Sequence, residues 1–128
     1  MDKKFYITTP IYYPSAKPHM GHAYSSIIAD FFARFKRMDG FDVQFLTGTD
    51  EHGLKIQRSA EKQNIDPLEF CNQISQTFRD LSQTLNLTNT DFIRTTEDRH
   101  KKTVQYLWSE LEKNDDIYLS KYSGWYSV

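Results

Sequence analysis

Two histidines separated by a methionine and a glycine, His19-Met20-Gly21-His22, are the residues whose types and spacing most clearly suggest chemistry. They follow a loop containing Pro10, Pro14 and Pro18, whose rings restrict the backbone and would hold the histidines in place. Imidazole N–H groups donate hydrogen bonds to phosphate oxygens whether or not the ring is fully charged. Gly21 has no side chain, so a flat ligand such as a nucleotide base could approach the backbone there. The stretch is therefore a candidate anion site.

A strand before these histidines and a helix after them would position them. The aromatic and β-branched run at the start of the chain predicts a strand over residues 4–10, followed by a loop over residues 11–18. A helix is predicted from Gly21 to Met38 and is expected to turn its apolar stripe toward the core. That stripe consists of Ile27, Ile28, Phe31, Phe32, Phe35 and Met38. The histidines then lie at a helix start, where free backbone N–H groups and the helix dipole favour phosphate.

A second polar loop follows the next predicted strand. Phe41–Leu46 has a buried-strand pattern, and Thr47–Gly53, with the sequence Thr-Gly-Thr-Asp-Glu-His-Gly, comes directly after it. The strand–helix–strand order favours a parallel pair with a right-handed crossover, so both strands would end at the same edge of the sheet, where open α/β sheets bind ligands. The chain contains neither a G-x-G-x-x-G fingerprint nor a G-x-x-x-x-G-K-[ST] loop. This argues against an NAD-binding domain and an ordinary P-loop NTPase.

Two further helices are predicted after this loop. The first covers Leu54–Gln63. The second begins with Asp66 as N-cap, Pro67 at the first helical position and Glu69 at the third. Its apolar residues recur at steps of three and four, which predicts a helix packed on one side. They are Cys71, Ile74, Phe78, Leu81 and Leu85.

The last third of the chain is predicted to hold a short strand, a helix and a hairpin. The strand covers Phe92–Thr95, and Thr96 is expected to cap a helix with Glu97 and Asp98 in its first turn. The buried face predicted for that helix consists of Val104, Leu107, Trp108 and Leu111. Ile117–Val128 is aromatic and β-prone with a Ser-Gly pair at a turn, so a β-hairpin is predicted there.

The composition excludes several classes of protein. With 128 residues, a net charge of −1 and 15% aromatic residues, the chain has the composition of one ordinary soluble domain. Nearly balanced charge leaves no overall basic surface for nucleic acid, so any RNA contact would have to be local or lie elsewhere. No DNA partner is expected. No apolar run is long enough to span a membrane, and the start of the chain does not resemble a signal peptide. The single Cys71 cannot form an internal disulfide, which is compatible with a reducing, cytoplasmic setting.

The order of strand and His-x-Gly-His at a helix start resembles the signature of class I aminoacyl-tRNA synthetases and their nucleotidyltransferase relatives. Thr9–His22 together with Leu46–Gly53 makes the chain similar to methionyl-tRNA synthetases in particular. The similarity continues through Phe92–His100 to Gly124-Trp125-Tyr126, so it covers essentially the whole chain.

The fold implied by the resemblance is α/β, with a Rossmann-like, HUP-type parallel sheet flanked by helices. The sheet would be incomplete in this chain, which would end in a β-hairpin that begins the connective insertion. Residues 1–116 would be the amino-terminal half of the nucleotide-binding catalytic domain. Residues 117–128 would start the connective-peptide insertion.

The activity implied by the resemblance is the activation of methionine. Its carboxylate attacks the α-phosphate of ATP, pyrophosphate leaves, and the methionyl-adenylate then gives its methionine to tRNA(Met). The nucleophile comes from the substrate, so the protein contributes positioning and electrostatic stabilisation. The resemblance makes His19 and His22 the catalytic residues, and it makes Pro10, His19, Gly21 and His22 the ATP-binding residues.

Methionine recognition is also implied by the resemblance. Ile11 and Tyr13 would lie beside the amino-acid pocket, with Tyr13 as an aromatic wall for the thioether, and Asp50 would take the ammonium group. His52 is also implied to bind methionine, with no individual role assigned to it. Mg²⁺ is expected to arrive with ATP and to bridge phosphates rather than to sit in a protein cage. No metal-ligand cluster is evident in the sequence.

Three features of the family have no counterpart in this chain. Some members carry a Cys-x-x-Cys zinc knuckle soon after the Trp-Tyr pair, but Ser127 stands in the place of its first cysteine, so no zinc is expected in this segment. The second signature loop, of Lys-Met-Ser-Lys-Ser type, does not occur, and neither does an anticodon-reading helical domain. The chain is therefore expected to be a fragment that is inactive alone.

Two other functions remain open at this point: a stand-alone nucleotidyltransferase with a different substrate, and a folded but inactive interaction module. A stand-alone transferase would ignore methionine, whereas an inactive module would bind no nucleotide. Several residues also have purely structural interpretations. Asp50 could be a turn residue, Tyr12 and Tyr13 could pack under the loop, His52 could be a structural hydrogen-bonding group, and residues 100–102 could form a solvated helix face.

Overall fold

Three parallel strands form a sheet in the order β1-β2-β3. The computed structural model describes residues 3–125. The strands are β1 (Lys4–Thr8), β2 (Asp42–Thr49) and β3 (Asp91–Arg94). Between them lie the helices α1 (Met20–Met38), α2 (Leu54–Gln63) and α3 (Pro67–Thr84). The chain divides into two units, Met1–Glu97 and Asp98–Val128, and the sheet belongs to the first. The predicted α/β fold with a parallel, helix-flanked sheet is confirmed.

The register of the sheet brings the loops after β1 and β2 to the same edge. Phe5 lies opposite Val43, and beyond the end of β1 an isolated parallel bridge pairs Tyr12 with Thr49. The sequence predicted β2 to end at Leu46, but it continues to Thr49 and pairs with β3 over these extra residues. A Cβ on Gly48 would lie 2.0 Å from the Ile93 carbonyl oxygen, so glycine permits this close strand contact.

The prediction for the buried face of α1 is wrong. Its large apolar residues are exposed, with Phe31 at 63% and Met38 at 87% relative accessibility. The other residues of the predicted stripe are exposed as well. The buried residues are small or polar instead: Ala23, Ser26, Ala29, Asp30 and Ala33. Small side chains let a helix lie close to a sheet, and Ala29 and Ala33 form a core with Val43 and Phe45. Periodicity indicates that a helix has an apolar face, but it does not say which face covers the sheet.

The two helices between β2 and β3 agree with the sequence. α2 has the predicted bounds. At the start of α3, the Asp66 carboxylate accepts hydrogen bonds from the backbone N–H groups of Leu68 and Glu69 at 2.8 and 3.1 Å, and Pro67 follows the cap as predicted. Cys71 and Phe78 of the predicted packing face are buried. Cys71 belongs to a core shared by both helices, and Phe78 packs with Tyr12 under the sheet edge.

The second unit departs from the sequence predictions at three points. Its helix α4 (Asp98–Lys113) begins two residues after Thr96, so Thr96 is not its cap, and the Thr96 hydroxyl donates to Glu51 instead. α4 has no buried residue, so the predicted buried face of Val104, Leu107, Trp108 and Leu111 is wrong. Residues 117–125 form no strand, and the end of the predicted hairpin lies outside the described residues. Isolated two-stranded hairpins are marginal unless they pack on something, which explains this difference.

No helix in residues 3–125 is both long enough and apolar enough to cross a bilayer.

Candidate active site

Helix α1 begins with two histidines that cap it reciprocally. His19 is the N-cap, and its Nδ1 accepts a hydrogen bond from the backbone N–H of Gly21 at 3.0 Å. Nδ1 of His22 accepts from the backbone N–H of His19, also at 3.0 Å, and the ring centroids are 3.9 Å apart. Ser, Thr, Asp and Asn are the usual caps, with Glu or Gln at the third position. Departures from such local preferences are typical of functional sites.

This cap determines which ring nitrogen carries the proton. Because both Nδ1 atoms accept hydrogen bonds from backbone N–H groups, a neutral ring must be protonated at Nε2. Neither Nε2 has a hydrogen-bond partner among residues 3–125, so both remain available as donors. Partial burial lowers the pKa of His22, and the nearby His19 lowers it further. Both effects favour the neutral ring on which the cap depends.

The start of α1 is left electrostatically positive. Its first turn contains no acidic residue, so nothing within that turn offsets the positive end of the helix dipole. Gly21 is needed there for a reason that the sequence did not reveal, because a Cβ would lie 2.9 Å from Cε1 of His19. Any larger residue would push the capping ring away from the Gly21 N–H. The glycine therefore permits the cap, and its predicted contact with a nucleotide base stays a prediction.

A pocket of about 190 Å³ opens beside the two histidines. It is lined by Tyr13, Ser15, Ala16, Lys17, His19, His22 and Lys55. Two ammonium groups and two imidazoles make this lining suited to phosphate oxygens. Sequence reasoning missed both lysines, although Lys17 lies in the proline-rich loop just before His19 and Lys55 follows the second polar loop by two residues. Their position beside the two motifs was the available signal.

Tyr12 holds the helix start against the end of β2. It is 7% exposed, and its hydroxyl lies 2.8 Å from Oγ of Ser26 and 3.2 Å from the carbonyl oxygen of His22, to which it donates. Its ring stacks on Phe78 and meets the edge of His22, with centroids 5.5 and 4.8 Å apart. Its carbonyl oxygen accepts from the backbone N–H of Asp50 at 2.8 Å. Tyr12 therefore packs under the loop and joins the two motifs.

The side chain of Tyr13 is also held against the backbone of His52. The Tyr13 hydroxyl donates to the carbonyl oxygen of His52, and a Cβ on Gly53 would lie 2.5 Å from that hydroxyl. Gly53 has a φ of 107°, a conformation that favours glycine. Nε2 of His52 lies 3.2 Å from the carbonyl oxygen of Thr95, which ties the ring to the end of β3. The predicted methionine contacts of Tyr13 and His52 stay predictions.

Three more predicted residues lie at the same edge of the sheet. Asp50 is half-buried, and its carboxylate makes no hydrogen bond or ion pair with any residue from 3 to 125. Pro10 is exposed, and its carbonyl oxygen accepts from the Thr9 hydroxyl at 2.8 Å. Ile11 is 42% exposed. Asp50 and Ile11 are accessible to a ligand, while their predicted roles toward methionine, and that of Pro10 toward ATP, stay predictions.

Glu51 lies in the second polar loop, and the sequence predicted no individual role for it. Its side chain is fully buried and makes an ion pair with Arg94, with Nε and Oε1 2.7 Å apart. A charged residue that no solvent reaches is costly unless it is paired.

Within residues 3–125 no group of three or more His, Cys, Asp or Glu side chains is arranged to hold a metal ion. Ser127, on which the zinc prediction rests, lies outside the described residues.

Comparison with known proteins assigns the family. The sequence model of the family described as tRNA synthetases class I (M) matches residues 5–128. The chain is 54% identical to the methionine–tRNA ligase of Rickettsia conorii over 128 residues, which are 100% of this chain and 25% of that protein. It is also 54% identical to the mitochondrial methionine–tRNA ligase of Takifugu rubripes over 127 residues, which are 99% of this chain and 22% of that protein.

A solved structure shows the same arrangement of elements. The Mycobacterium tuberculosis methionyl-tRNA synthetase in complex with methionyl-adenylate superimposes with a TM-score of 0.93 at 47% identity, covering 98% of this chain and 25% of that one. The fold is thus that of a class I tRNA synthetase. Within that class, the chain belongs to the methionyl-tRNA synthetase family. It spans about a quarter of the length of the relatives that it matches.

Proposed function

We propose that this chain is the amino-terminal part of the catalytic domain of a methionine–tRNA ligase. The whole enzyme would bind ATP and methionine, form methionyl-adenylate and transfer methionine to tRNA(Met) in the cytoplasm. The observation that carries the proposal is the pair of capping histidines, whose Nε2 atoms have no hydrogen-bond partner in the described part of the chain and lie beside Lys17 and Lys55. The family match and the adenylate-bound neighbour support it.

The chemistry needs no nucleophile from the protein. An oxygen of the methionine carboxylate bonds to the α-phosphorus of ATP, and the bond from that phosphorus to the bridging oxygen of pyrophosphate breaks, so negative charge builds on phosphate oxygens. Nε2–H groups of His19 and His22 would donate to those oxygens, and the ammonium groups of Lys17 and Lys55 would offset the remaining charge. A donor of this kind is worth about 3 kcal/mol in the transition state. Mg²⁺ would accompany ATP as part of the substrate.

Methionine would bind at the neighbouring edge of the sheet. The Asp50 carboxylate, which has no partner among the described residues, is placed to pair with the substrate ammonium. Tyr13 would form an aromatic wall for the thioether and Ile11 an apolar one, because sulfur gains from ring contacts and accepts hydrogen bonds only weakly. Tyr12 supports both positions, since its hydroxyl contacts α1 and its carbonyl oxygen accepts from the Asp50 N–H.

The rest of the enzyme would supply what this chain lacks. The matched relatives are about four times longer, so we place the second signature loop, the completion of the sheet and the anticodon-reading domain in the part that follows. Residues 1–116 would be the first half of the catalytic domain and residues 117–128 the start of the connective insertion. We expect little or no activity from the chain alone.

The test uses a restored enzyme, in which this chain replaces the matching 128 residues of the Rickettsia conorii ligase. Exchange of labelled pyrophosphate into ATP is measured with methionine and with each other amino acid. We expect exchange that requires methionine, is lost in the His19→Ala, His22→Ala double variant and is kept in His100→Ala, a histidine of α4 remote in sequence from the site. Exchange without methionine would indicate a different transferase, and no exchange in a folded restored enzyme would refute the proposal.

A further inference from the structure

The Glu51 carboxylate is enclosed by hydrogen-bond donors from three positions. Oε1 accepts from the Thr49 hydroxyl at 2.8 Å and from Nε of Arg94 at 2.7 Å, and Oε2 accepts from the Thr96 hydroxyl. The side chain has no exposed surface. A carboxylate in such a place depends on these partners, because water cannot replace any that is lost. Glu51 therefore fixes its own backbone relative to β3 and the residues that follow it.

Arg94 joins this carboxylate to α3. Its Nη2 donates to Oδ1 of Asn72 at 2.7 Å while its Nε serves Glu51. The hydrogen bond with Glu51 raises the pKa of Arg94, so the guanidinium stays charged. The planar group serves two acceptors in different directions, which a lysine ammonium at this position could not do in the same geometry. Arg94 thus connects β3, the second polar loop and α3.

The backbone around Asp50 is held from both sides. On one side, the Asp50 N–H donates to the carbonyl oxygen of Tyr12 at 2.8 Å. On the other side, the Glu51 N–H donates to the hydroxyl of Thr95 at 2.8 Å. The Glu51 side chain adds the contacts to Arg94 and Thr96 described above. The backbone of Asp50 is therefore fixed by these contacts and by those of its neighbour Glu51. The Asp50 carboxylate itself has no partner among the described residues.

We propose that Arg94, acting through Glu51, is a positioning residue that sets the Asp50 carboxylate for the ammonium group of methionine. The inference rests on the proposed function, and it goes beyond it by assigning a role to an ion pair that does not line the pocket beside the two histidines. Its consequence is selective: loss of the pair should impair the use of methionine more than the use of ATP.

The test measures KM and kcat for methionine and for ATP in pyrophosphate exchange by the restored enzyme. In Arg94→Met the buried Glu51 loses its cation, and we expect kcat/KM for methionine to fall about 10²-fold, because small misplacements have effects of that size. KM for ATP should change by less than about threefold, since the capping histidines and lysines are untouched. Arg58→Met, which removes an exposed arginine of α2, is the control for the loss of one positive charge.

Two more variants separate positioning from folding. Arg94→Lys keeps the charge but cannot serve Glu51 and Asn72 together, so KM for methionine should rise about tenfold with little change in the melting temperature. Adding Glu51→Gln to Arg94→Met removes the uncompensated charge and keeps groups that can pair with Thr49 and Thr96, so kcat/KM should return to within about tenfold of the unaltered enzyme.

The outcomes distinguish this inference from the function on which it rests. Rescue by Glu51→Gln together with a selective effect on methionine would support the positioning role. If Arg94→Met and Arg94→Lys lower kcat only in proportion to the folded fraction and leave KM for methionine unchanged, the pair is merely structural and the inference is wrong. If the unaltered restored enzyme shows no methionine-dependent exchange, the proposed function itself has failed.

Discussion

Replacing His19 with asparagine separates the two roles that the structure gives to this ring. The amide oxygen of asparagine can accept the hydrogen bond from the Gly21 N–H that Nδ1 of His19 accepts now, so the cap of α1 is retained. Asparagine has no group in the place of Nε2, so the donor proposed for the ATP phosphates is lost. His19→Asn should therefore keep the fold and lose activity.

The expected magnitudes follow from these two contacts. Loss of one donor to charge developing in the transition state costs about 3 kcal/mol, which is a reduction of about 10²-fold in kcat. Retention of the cap should keep the melting temperature of the 128-residue chain within about 2 °C of the original. His19→Ala removes the cap as well, which costs about 1 kcal/mol and should lower the melting temperature of a chain of this length by about 4 °C.

The assay pairs pyrophosphate exchange by the restored enzyme with thermal unfolding of the chain. His100→Asn makes the same chemical change in α4 and should alter neither quantity. An asparagine variant at position 19 that exchanges pyrophosphate at the original rate would refute the assignment of Nε2 as a phosphate donor. One that loses as much stability as His19→Ala would refute the cap as the reason for the ring's position.

Three more predictions concern the same helix start. Gly21→Ala would bring a Cβ within 2.9 Å of the His19 ring, so exchange by the restored enzyme should fall by about tenfold or more, and an unchanged rate would contradict the tight fit. Tyr12→Phe leaves the buried Ser26 hydroxyl without its Tyr12 partner, so urea unfolding of the chain should show a loss of about 1–2 kcal/mol, whereas the exposed Tyr24→Phe should show none. The pKa of His22 in the folded chain lies below its ordinary value of 6.5. The contribution of His22 to the free energy of unfolding should therefore be fully present above about pH 6.5 and decline as the pH falls toward the folded-state pKa. The reason is that the unfolded chain then binds a proton that the folded chain excludes. Urea unfolding across this pH range checks it, and His22→Gln, which suits the capping position, should remove that part of the decline.

The parts of the fold that the sequence predicted are those determined by local signals. Asp66-Pro67 marked the start of α3, and the order of strands and helix predicted the parallel pair. The errors arose where packing between elements decides which residues are buried. The apolar stripe of α1 that includes Phe31 is exposed, because Ala29 and Ala33 are small enough to bring the helix close to the sheet. No pattern within one helix reveals this preference.

The residues of the candidate site also divide into those that a local sequence signal predicts and those that only the folded chain reveals. His19 and His22 were recognisable from their spacing at a helix start, and the structure brings their rings together as a cap. Lys17 and Lys55 lie beside the two motifs in the sequence, but their convergence on one pocket appears only in the folded chain. The role of Glu51 could not be inferred either, since a glutamate in a polar loop is ordinarily solvated. Its burial depends on Arg94, which lies 43 positions away in the sequence.

Phosphate binding at the start of α1 depends most directly on which nitrogen of His19 and His22 carries the proton, because a donor at Nε2 links the helix cap to phosphate chemistry. Long-range ¹H–¹⁵N NMR spectra of the ¹⁵N-histidine-labelled chain at about pH 7.5 report this for each ring, with assignments made from His19→Asn and His22→Gln. The structure predicts that each ring carries its proton at Nε2, with Nδ1 showing the shift of a hydrogen-bonded acceptor. Protonation at Nδ1 of either ring would contradict the cap and remove the proposed donor to ATP.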